Sequence, residues 1–248
     1  MNLYGNEWLY DLVHEKPPDS EHVSFYERMI ERFGEPVLEL ACGTGNYLVT
    51  FREKKMDVAG LDISPQMLDA AEKRSDDKDL ESKLIEADMR NFNLGEKFRL
   101  IFIAGNSFQH LNDVTDVQAT LSSVKKHMEA DSRFIVEVFN PSVNLLSRDP
   151  EERFFVGEFR TDEGWVVIHE NVLYDAATQI NHIRWHYKNQ YDKEERTVEF
   201  FMRQYFPQEL DYLFQSNGFS IEEKYGDFDE SNFSRKSKRQ ILVTKLEN

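Results

Sequence analysis

Apolar residues recur at two spacings along this chain, and the switches between them divide it into elements. Val37–Leu40, Asp57–Leu61, Ser82–Ala87, Arg99–Ala104 and Phe134–Phe139 are short, nearly continuous apolar runs. Their length and β-branched content predict strands buried on both faces of a parallel sheet. Helical spacing lies between them, with Tyr47, Leu48 and Phe51, then Met67, Leu68 and Ala71, then a stretch from about Val114 to Met128. Strand and helix alternate, which predicts a doubly wound α/β sheet. Ahead of it, Tyr4, Trp8 and Leu12 repeat at helical spacing until Pro17-Pro18 stops the pattern. A second helix, about Glu21 to Phe33, has an Asp-Ser cap before it and Gly34 after it. Two helices packed on the sheet's edge are the simplest arrangement.

The pattern changes from about Arg153 to Phe206. Phe154–Val156, Trp165–Ile168, Val172–Tyr174, Ile180–Tyr191 and Val198–Phe206 are rich in strand formers, with turn-type residues at 162–164, 175–178 and 192–195. Alternation in Ile183-Arg-Trp-His-Tyr187 predicts a sheet with one wet face. An antiparallel sheet of roughly four strands, over 151–206, is therefore expected as an insert between a body of 1–150 and 207–248. After a C-terminal strand end, it would roof the crevice where ligands bind. Pro207 then opens a helix that Gly218 closes. Two final strands, around Phe219–Lys224 and Gln240–Thr244, suggest a C-terminal antiparallel hairpin.

The chemistry is concentrated after the first strand. In Val37-Leu-Glu-Leu-Ala-Cys-Gly-Thr-Gly-Asn46, Gly43 and Gly45 let the backbone turn tightly and approach a ligand. The amides of the following helix would point into the same crevice. A dinucleotide fingerprint asks for a third glycine where this chain has Leu48. Glu39, at the end of the strand, suits a cationic ligand group and is a poor neighbour for a pyrophosphate. Both features weigh against a nicotinamide oxidoreductase.

This Glu-x-Ala-Cys-Gly-x-Gly pattern resembles the first motif of class I S-adenosylmethionine-dependent methyltransferases, with Ala41 in place of that family's first glycine. The resemblance continues in order to the C-terminus. Asp62 ends the second strand, where an acid can accept from both ribose hydroxyls, and Ser64-Pro65 opens the next helix. The family implies that Ile63 and Met67 flank the adenine and that Asp88 and the Met89 amide meet its edge. It also implies that Gly105 and Asn106 lie beneath the methyl group. Tyr10-Asp11 is similar to a pair on an N-terminal helix that folds over the cofactor. An aromatic face there, from Tyr10 or Tyr4, would stabilise a sulfonium by about 0.5–2 kcal/mol. The fold implied is a seven-stranded Rossmann-like methyltransferase sheet with a C-terminal hairpin and an inserted β lid. Lids at this position, as in the similar nucleotide-sugar N-methyltransferases, serve acceptor recognition or dimerisation. Two departures, Arg99 and Met128-Glu-Ala-Asp-Ser132, fall away from the cofactor positions.

Composition narrows the partners. A formal net charge of −16 over 248 residues repels nucleic acid. The one short basic run, Arg235-Lys-Ser-Lys-Arg239, is expected to be the solvated end of the terminal hairpin. A single cysteine, Cys42, excludes an intrachain disulfide and fits a reducing, cytoplasmic setting. Neither a signal sequence nor a membrane-length apolar stretch is present. No metal-ligand spacing or serine-hydrolase motif occurs.

The reading is methyl transfer from S-adenosylmethionine to a nitrogen or oxygen of a small molecule. The rival is a protein that holds the cofactor or its demethylated product without turnover. His110, on the loop after the fourth strand, is the candidate general base. His182 and His186 should share a sheet face with Arg184, either meeting an acidic acceptor or lining a wet face. Free edges on the insert would allow a homodimer.

Overall fold

The parallel β runs form a sheet whose two faces are covered by helices because their side chains are apolar on both sides. A computed structural model describes residues 3–14, 20–192 and 194–247. After a turn of 3₁₀ helix, the elements are α1 (Glu7–His14), α2 (Glu21–Phe33), β1 (Val37–Leu40), α3 (Asn46–Glu53), β2 (Val58–Asp62) and α4 (Pro65–Asp76). They continue with β3 (Leu84–Glu86), β4 (Phe98–Ile103), α5 (Val114–Lys126), β5 (Met128–Phe139) and α6 (Val143–Leu146). Then come β6 (Phe154–Thr161), β7 (Gly164–Asp175), β8 (Ile180–Asn189), β9 (Arg196–Arg203), α7 (Pro207–Ser216), β10 (Phe219–Tyr225) and β11 (Arg239–Leu246).

The main sheet has seven strands in the order β10-β11-β5-β4-β1-β2-β3. β1 to β5 run parallel, and β11 joins β5 antiparallel with β10 outside it. The order reverses between β1 and β4, so a crevice opens at their carboxyl ends. Side chains alternate across the sheet. Leu38, Leu40, Ile101 and Ile103 join the core under α5 and α7, while Val37, Leu100 and Phe102 join the one under α2 and α3. Glu39 therefore points to the α2 side, toward Tyr26 and Tyr47. Ser20 caps α2 and Ser64 caps α4, with Pro65 as the first helical residue.

The insert is an antiparallel meander, β6-β7-β8-β9. Val166, Ile168, Trp185, Tyr187, Val198 and Phe200 line its inner face and share a third core with Leu3 and Leu9.

Four expectations are corrected. The expected Tyr4–Trp8–Leu12 stripe is not the buried one, because Trp8 is 46% exposed while Leu3 and Leu9 are buried. A break after Gly5 resets the helical register: Asn6 Oδ1 accepts from the Leu9 amide at 3.1 Å and starts α1 afresh. α1 also packs on the lid rather than the sheet's edge, since that is where its leucines find apolar partners. Met128–Ser132, expected as a helix end and turn, is the start of β5; the Ser132 hydroxyl bonds the Phe98 carbonyl at 2.6 Å and holds the extension against β4. The runs 165–168 and 172–174 merge into the single strand β7, because Glu170 and Asn171 continue the pairing with β8. Pro17-Pro18 and Asp19 lie outside the described residues.

Candidate active site

The loop after β1 is bent by positive φ at three positions, Ala41 (55°), Gly43 (56°) and Gly45 (75°). Gly45 has least room: a Cβ there would stand 3.0 Å from that of Ala71 on α4. Asp62, at the end of β2, locks the turn by accepting from the Gly43 amide at 2.8 Å and the Ser64 amide at 2.9 Å. Its carboxylate thus lies beside the loop, only 8% exposed, and burial raises its pKa against the pull of those amides.

A cavity of about 1130 Å³ opens over this loop, between the main sheet and the lid. Of the residues singled out from sequence, Tyr10, Glu39, Ala41, Gly105, Asn106 and His110 line it. Gly43, Gly45, Asp62, Ile63, Met67, Asp88 and Met89 are outside that lining. They follow β1, β2 and β3 toward the far edge of the crevice, where Ile63 is 62% exposed and Met67 is buried. Asp88 is forked onto Arg90, which holds its carboxyl below the usual range.

Among the described residues, three buried oxygens on cavity-lining side chains have no hydrogen-bond partner, Glu39 Oε2 and Asn106 Oδ1 on the sheet side and Asn181 Oδ1 on the lid. Glu39 is 2% exposed, and burial drives its pKa well up, with the Leu48 amide opposing and Asp62 adding repulsion. A buried carboxylate oxygen without a donor is costly, and a cationic ligand would relieve that cost.

α1 closes the loop from above. Tyr10 lies over Gly43, with ring atoms 3.5 Å from where a Cβ would be. Asp11 accepts from the Thr44 hydroxyl at 2.5 Å and from Arg74 at 2.9 Å, bridging the glycine loop to α4.

His110 contacts the Phe201 carbonyl through Nδ1 at 2.9 Å. A carbonyl only accepts, so Nδ1 carries the proton and Nε2 presents its lone pair. The Tyr4 hydroxyl donates to that Nε2 in a short hydrogen bond. Burial lowers the His110 pKa and raises that of Tyr4. The pair is therefore neutral around pH 7, a histidine able to take a proton behind a hydroxyl on the cavity wall.

Several cavity residues escaped the sequence reading. Glu137, 1% exposed on β5, pairs with Arg239 at 2.6 Å and accepts from the Gly105 amide at 3.2 Å. Its signal was present, since an acid inside Val-Glu-Val repeats the Leu-Glu-Leu of β1. Behind the lining, Gln109 is fully buried; it donates to the Arg203 carbonyl at 2.7 Å and accepts from the Phe139 amide at 3.1 Å, tying this loop to the lid. Glu170, Asn181 and Trp185 reach the cavity from the lid's inner face. Nothing local marks the latter three.

His182, Arg184 and His186 share the outer face and do not line the cavity. His182 stacks edge-on against Phe201, Arg184 pairs with Glu199 at 2.6 Å, and His186 bonds Asn171 at 2.8 Å. Arg235–Lys238 form the exposed connection of the β10–β11 hairpin, as expected, and the segment also lines the cavity, where Asn140 pins the carbonyls of Ser237 and Lys238 beside the end of β5. Among the described residues no cluster of metal-ligating side chains is gathered, and no helix is long and apolar enough to cross a membrane.

Residues 37–131 match the model of a methyltransferase domain. A dTDP-3-amino-3,4,6-trideoxy-α-D-glucopyranose N,N-dimethyltransferase of Streptomyces venezuelae is 36% identical over 101 residues, 41% of each chain. A dTDP-3-amino-3,6-dideoxy-α-D-glucopyranose N,N-dimethyltransferase of Streptomyces fradiae is 31% identical over 134 residues, 52% of this chain and 51% of that one. The chain thus spans about half, or less, of the length of these curated relatives. Over its whole length it superposes on the CcbJ methyltransferase of Streptomyces caelestis with a TM-score of 0.82 at 20% identity, covering 100% of this chain and 99% of that one. The fold is that of the class I S-adenosylmethionine-dependent methyltransferases. Within it, residues 37–131 are similar to a methyltransferase domain, and part of the chain is similar to sugar N,N-dimethyltransferases.

Proposed function

We propose that this protein is an S-adenosylmethionine-dependent methyltransferase acting on a nitrogen of a small-molecule acceptor. The observation that carries the proposal is Glu39 Oε2, buried, without a donor and facing a cavity beside a glycine loop. An ammonium on the ligand would supply the missing partner. The residues present fit the cofactor: Glu39 would hold its amino group, Ala41, Gly43 and Gly45 its backbone-facing side, and Asp62 its ribose. Ile63, Met67, Asp88 and Met89 would hold the base, and Gly105 and Asn106 the methyl end. Once bound, it supplies a carbon already activated for in-line displacement.

What remains for the protein is alignment, exclusion of water and management of one proton. α1 and the lid cover the crevice from two sides. An ammonium acceptor must lose a proton before it can attack. The Tyr4 oxygen would accept that proton as Tyr4 passes its own to His110 Nε2. Nitrogen is preferred over oxygen on the similarity to N,N-dimethyltransferases. No observation favours a role that only holds the cofactor.

The same reading divides the chain into a cofactor-binding body, 1–150 and 207–248, and a lid, 151–206. It also carries a homodimer through the lid's outer face, supported by the cross-strand row Leu173–His182–Phe201, in which Leu173 is 50% and Phe201 44% exposed. A cytoplasmic setting agrees with the lone, buried Cys42, and a small molecule rather than nucleic acid agrees with the acidic surface.

The test is transfer of an isotopically labelled methyl group from S-adenosylmethionine to a panel of amines and alcohols. Label on an amine nitrogen is the expected result. Label on alcohols alone would overturn the nitrogen assignment. Tight cofactor binding with no transfer to either class would favour the holding role.

A further inference from the structure

Apolar side chains crowd one side of the cavity's mouth. Phe139 ends β5, and Val143 and Leu145 stand on α6, the short helix that leads from the main sheet to the lid. All three line the cavity, yet they are 45%, 76% and 48% exposed. A lone exposed apolar residue is ordinary, but three so close in the chain, at the rim of one crevice, form a patch of the kind that meets a ligand.

The lid adds a second apolar stretch to the same cavity. Its inner face reads in cross-strand rows, with Val172–Ile183–Phe200 between Tyr174–Asn181–Met202 and Glu170–Trp185–Val198. Val172, Ile183, Phe200 and Met202 line the cavity, so the middle of this wall is apolar. Its acid is engaged, since Glu170 meets Arg148 and Trp185 Nε1, each at 3.4 Å. Successive rows stand about 7 Å apart, which makes the wall about 14 Å long. The cofactor does not account for this space. Asp62, Ile63, Met67, Asp88 and Met89, assigned to its ribose and base, lie outside the lining of a cavity of about 1130 Å³. Ordinary ligand pockets hold roughly 300–1,000 Å³.

We propose that the acceptor's nitrogen is carried on an apolar hydrocarbon body, which lies along Val172, Ile183, Phe200 and Met202 and leaves the cavity past Val143 and Leu145. The amine rests on the methyltransferase reading, whereas the apolar wall stands on the cavity alone. The family match ends at residue 131, so this wall lies outside it. Burial of the body would supply affinity while the nitrogen lies by Tyr4. Asn181 Oδ1, at one end of the wall and without a donor among the described residues, would take an N–H or O–H of the acceptor and fix which way the body points.

Calorimetric titration of the full chain with butylamine, hexylamine and octylamine tests the proposal, with S-adenosylhomocysteine present and also titrated alone. The three amines carry the same charge, so a gradient between them reads the apolar contact. Affinity should rise roughly tenfold with each added pair of methylenes. V143S/L145S at the rim and I183S on the wall should each weaken octylamine at least about fivefold more than butylamine. The rim variant should melt with the unaltered chain, since both positions are exposed. Two results overturn the proposal. One is an affinity that differs by less than about twofold between butylamine and octylamine, as when a second copy of the chain covers the rim instead. The other is the full gradient surviving in both variants, which places the amines elsewhere. If S-adenosylhomocysteine binds while the gradient is absent, only this inference fails. A gradient without S-adenosylhomocysteine binding would remove the methyltransferase reading and leave the apolar wall.

Discussion

The two halves of the cavity are made in different ways. On the sheet side, the shape is fixed by backbone: the bends at Ala41, Gly43 and Gly45, the Asp62 carboxylate on the Gly43 amide, and the turn at Gly105 and Asn106. On the lid side it is fixed by side chains, with Trp185, Asn181 and Glu170 projecting from an antiparallel sheet and Leu3 and Leu9 packed beneath it. A parallel sheet places its functional groups at strand ends, in consecutive residues. An antiparallel lid places them on alternate residues of several strands. The first arrangement suits a constant cofactor, and the second lets the acceptor change without disturbing the cofactor's seat. α1 belongs to both, with Leu9 in the lid core and Asp11 on the glycine loop.

Breaking α1 should have the largest effect. Leu9→Ala should cost about 2–4 kcal/mol in denaturant unfolding, whereas Trp8→Ala, at an exposed position, should stay within about 0.5 kcal/mol. Equal losses would mean that α1 is not seated by its leucine.

Glu39→Gln separates binding from stability on the sheet side. Cofactor affinity should fall about a hundredfold, or about 2.7 kcal/mol, while the unliganded protein gains about 1 kcal/mol at neutral pH by losing a poorly paired buried acid. The sign follows from the raised pKa of Glu39. The folded protein favours the protonated acid, so the penalty builds as pH rises from the ordinary carboxylate range toward the raised folded pKa and is constant above it, and the amide escapes it. By the same linkage, cofactor binding should release a proton and tighten with rising pH over that window. Calorimetry in buffers of different ionisation enthalpy reads the release directly; no proton release would remove Glu39 from the ammonium site.

At the junction of the halves, Tyr4→Phe and His110→Ala should each slow transfer about tenfold to a hundredfold at pH 7. The loss should shrink at pH 9, where more of the acceptor is already free amine. A loss independent of pH would make the pair a positioning device. Asp62→Ala should weaken cofactor binding at least about tenfold, about 1.4 kcal/mol. Smallest in its effect on one protomer, Leu173→Glu on the lid's outer face should leave cofactor affinity unchanged yet shift the mass measured by light scattering from dimer to monomer.

Much of the sheet side was legible because its signals are local. Strand, glycine turn and capped helix follow one another within a few residues, and each is dictated by what its own backbone can adopt. Glu137 was equally legible by that logic, an acid inside an apolar strand, and was passed over. The lid side was legible only as architecture. Alternation in 183–187 gave a one-sided sheet, but not which face would meet the cavity.

The sequence by itself determined the doubly wound sheet, its C-terminal hairpin, the inserted meander and the acid-and-glycine loop, since periodicity and turn chemistry are properties of neighbours in the chain. Only the tertiary structure decided that Tyr4 meets His110 and that α1 packs on a lid some 150 residues away. It also brought the solvated hairpin end Arg235–Arg239 to the wall of the cavity. Those outcomes depend on which surfaces meet when the chain closes, and that is set by Asn140 seating a loop and by two leucines needing cover.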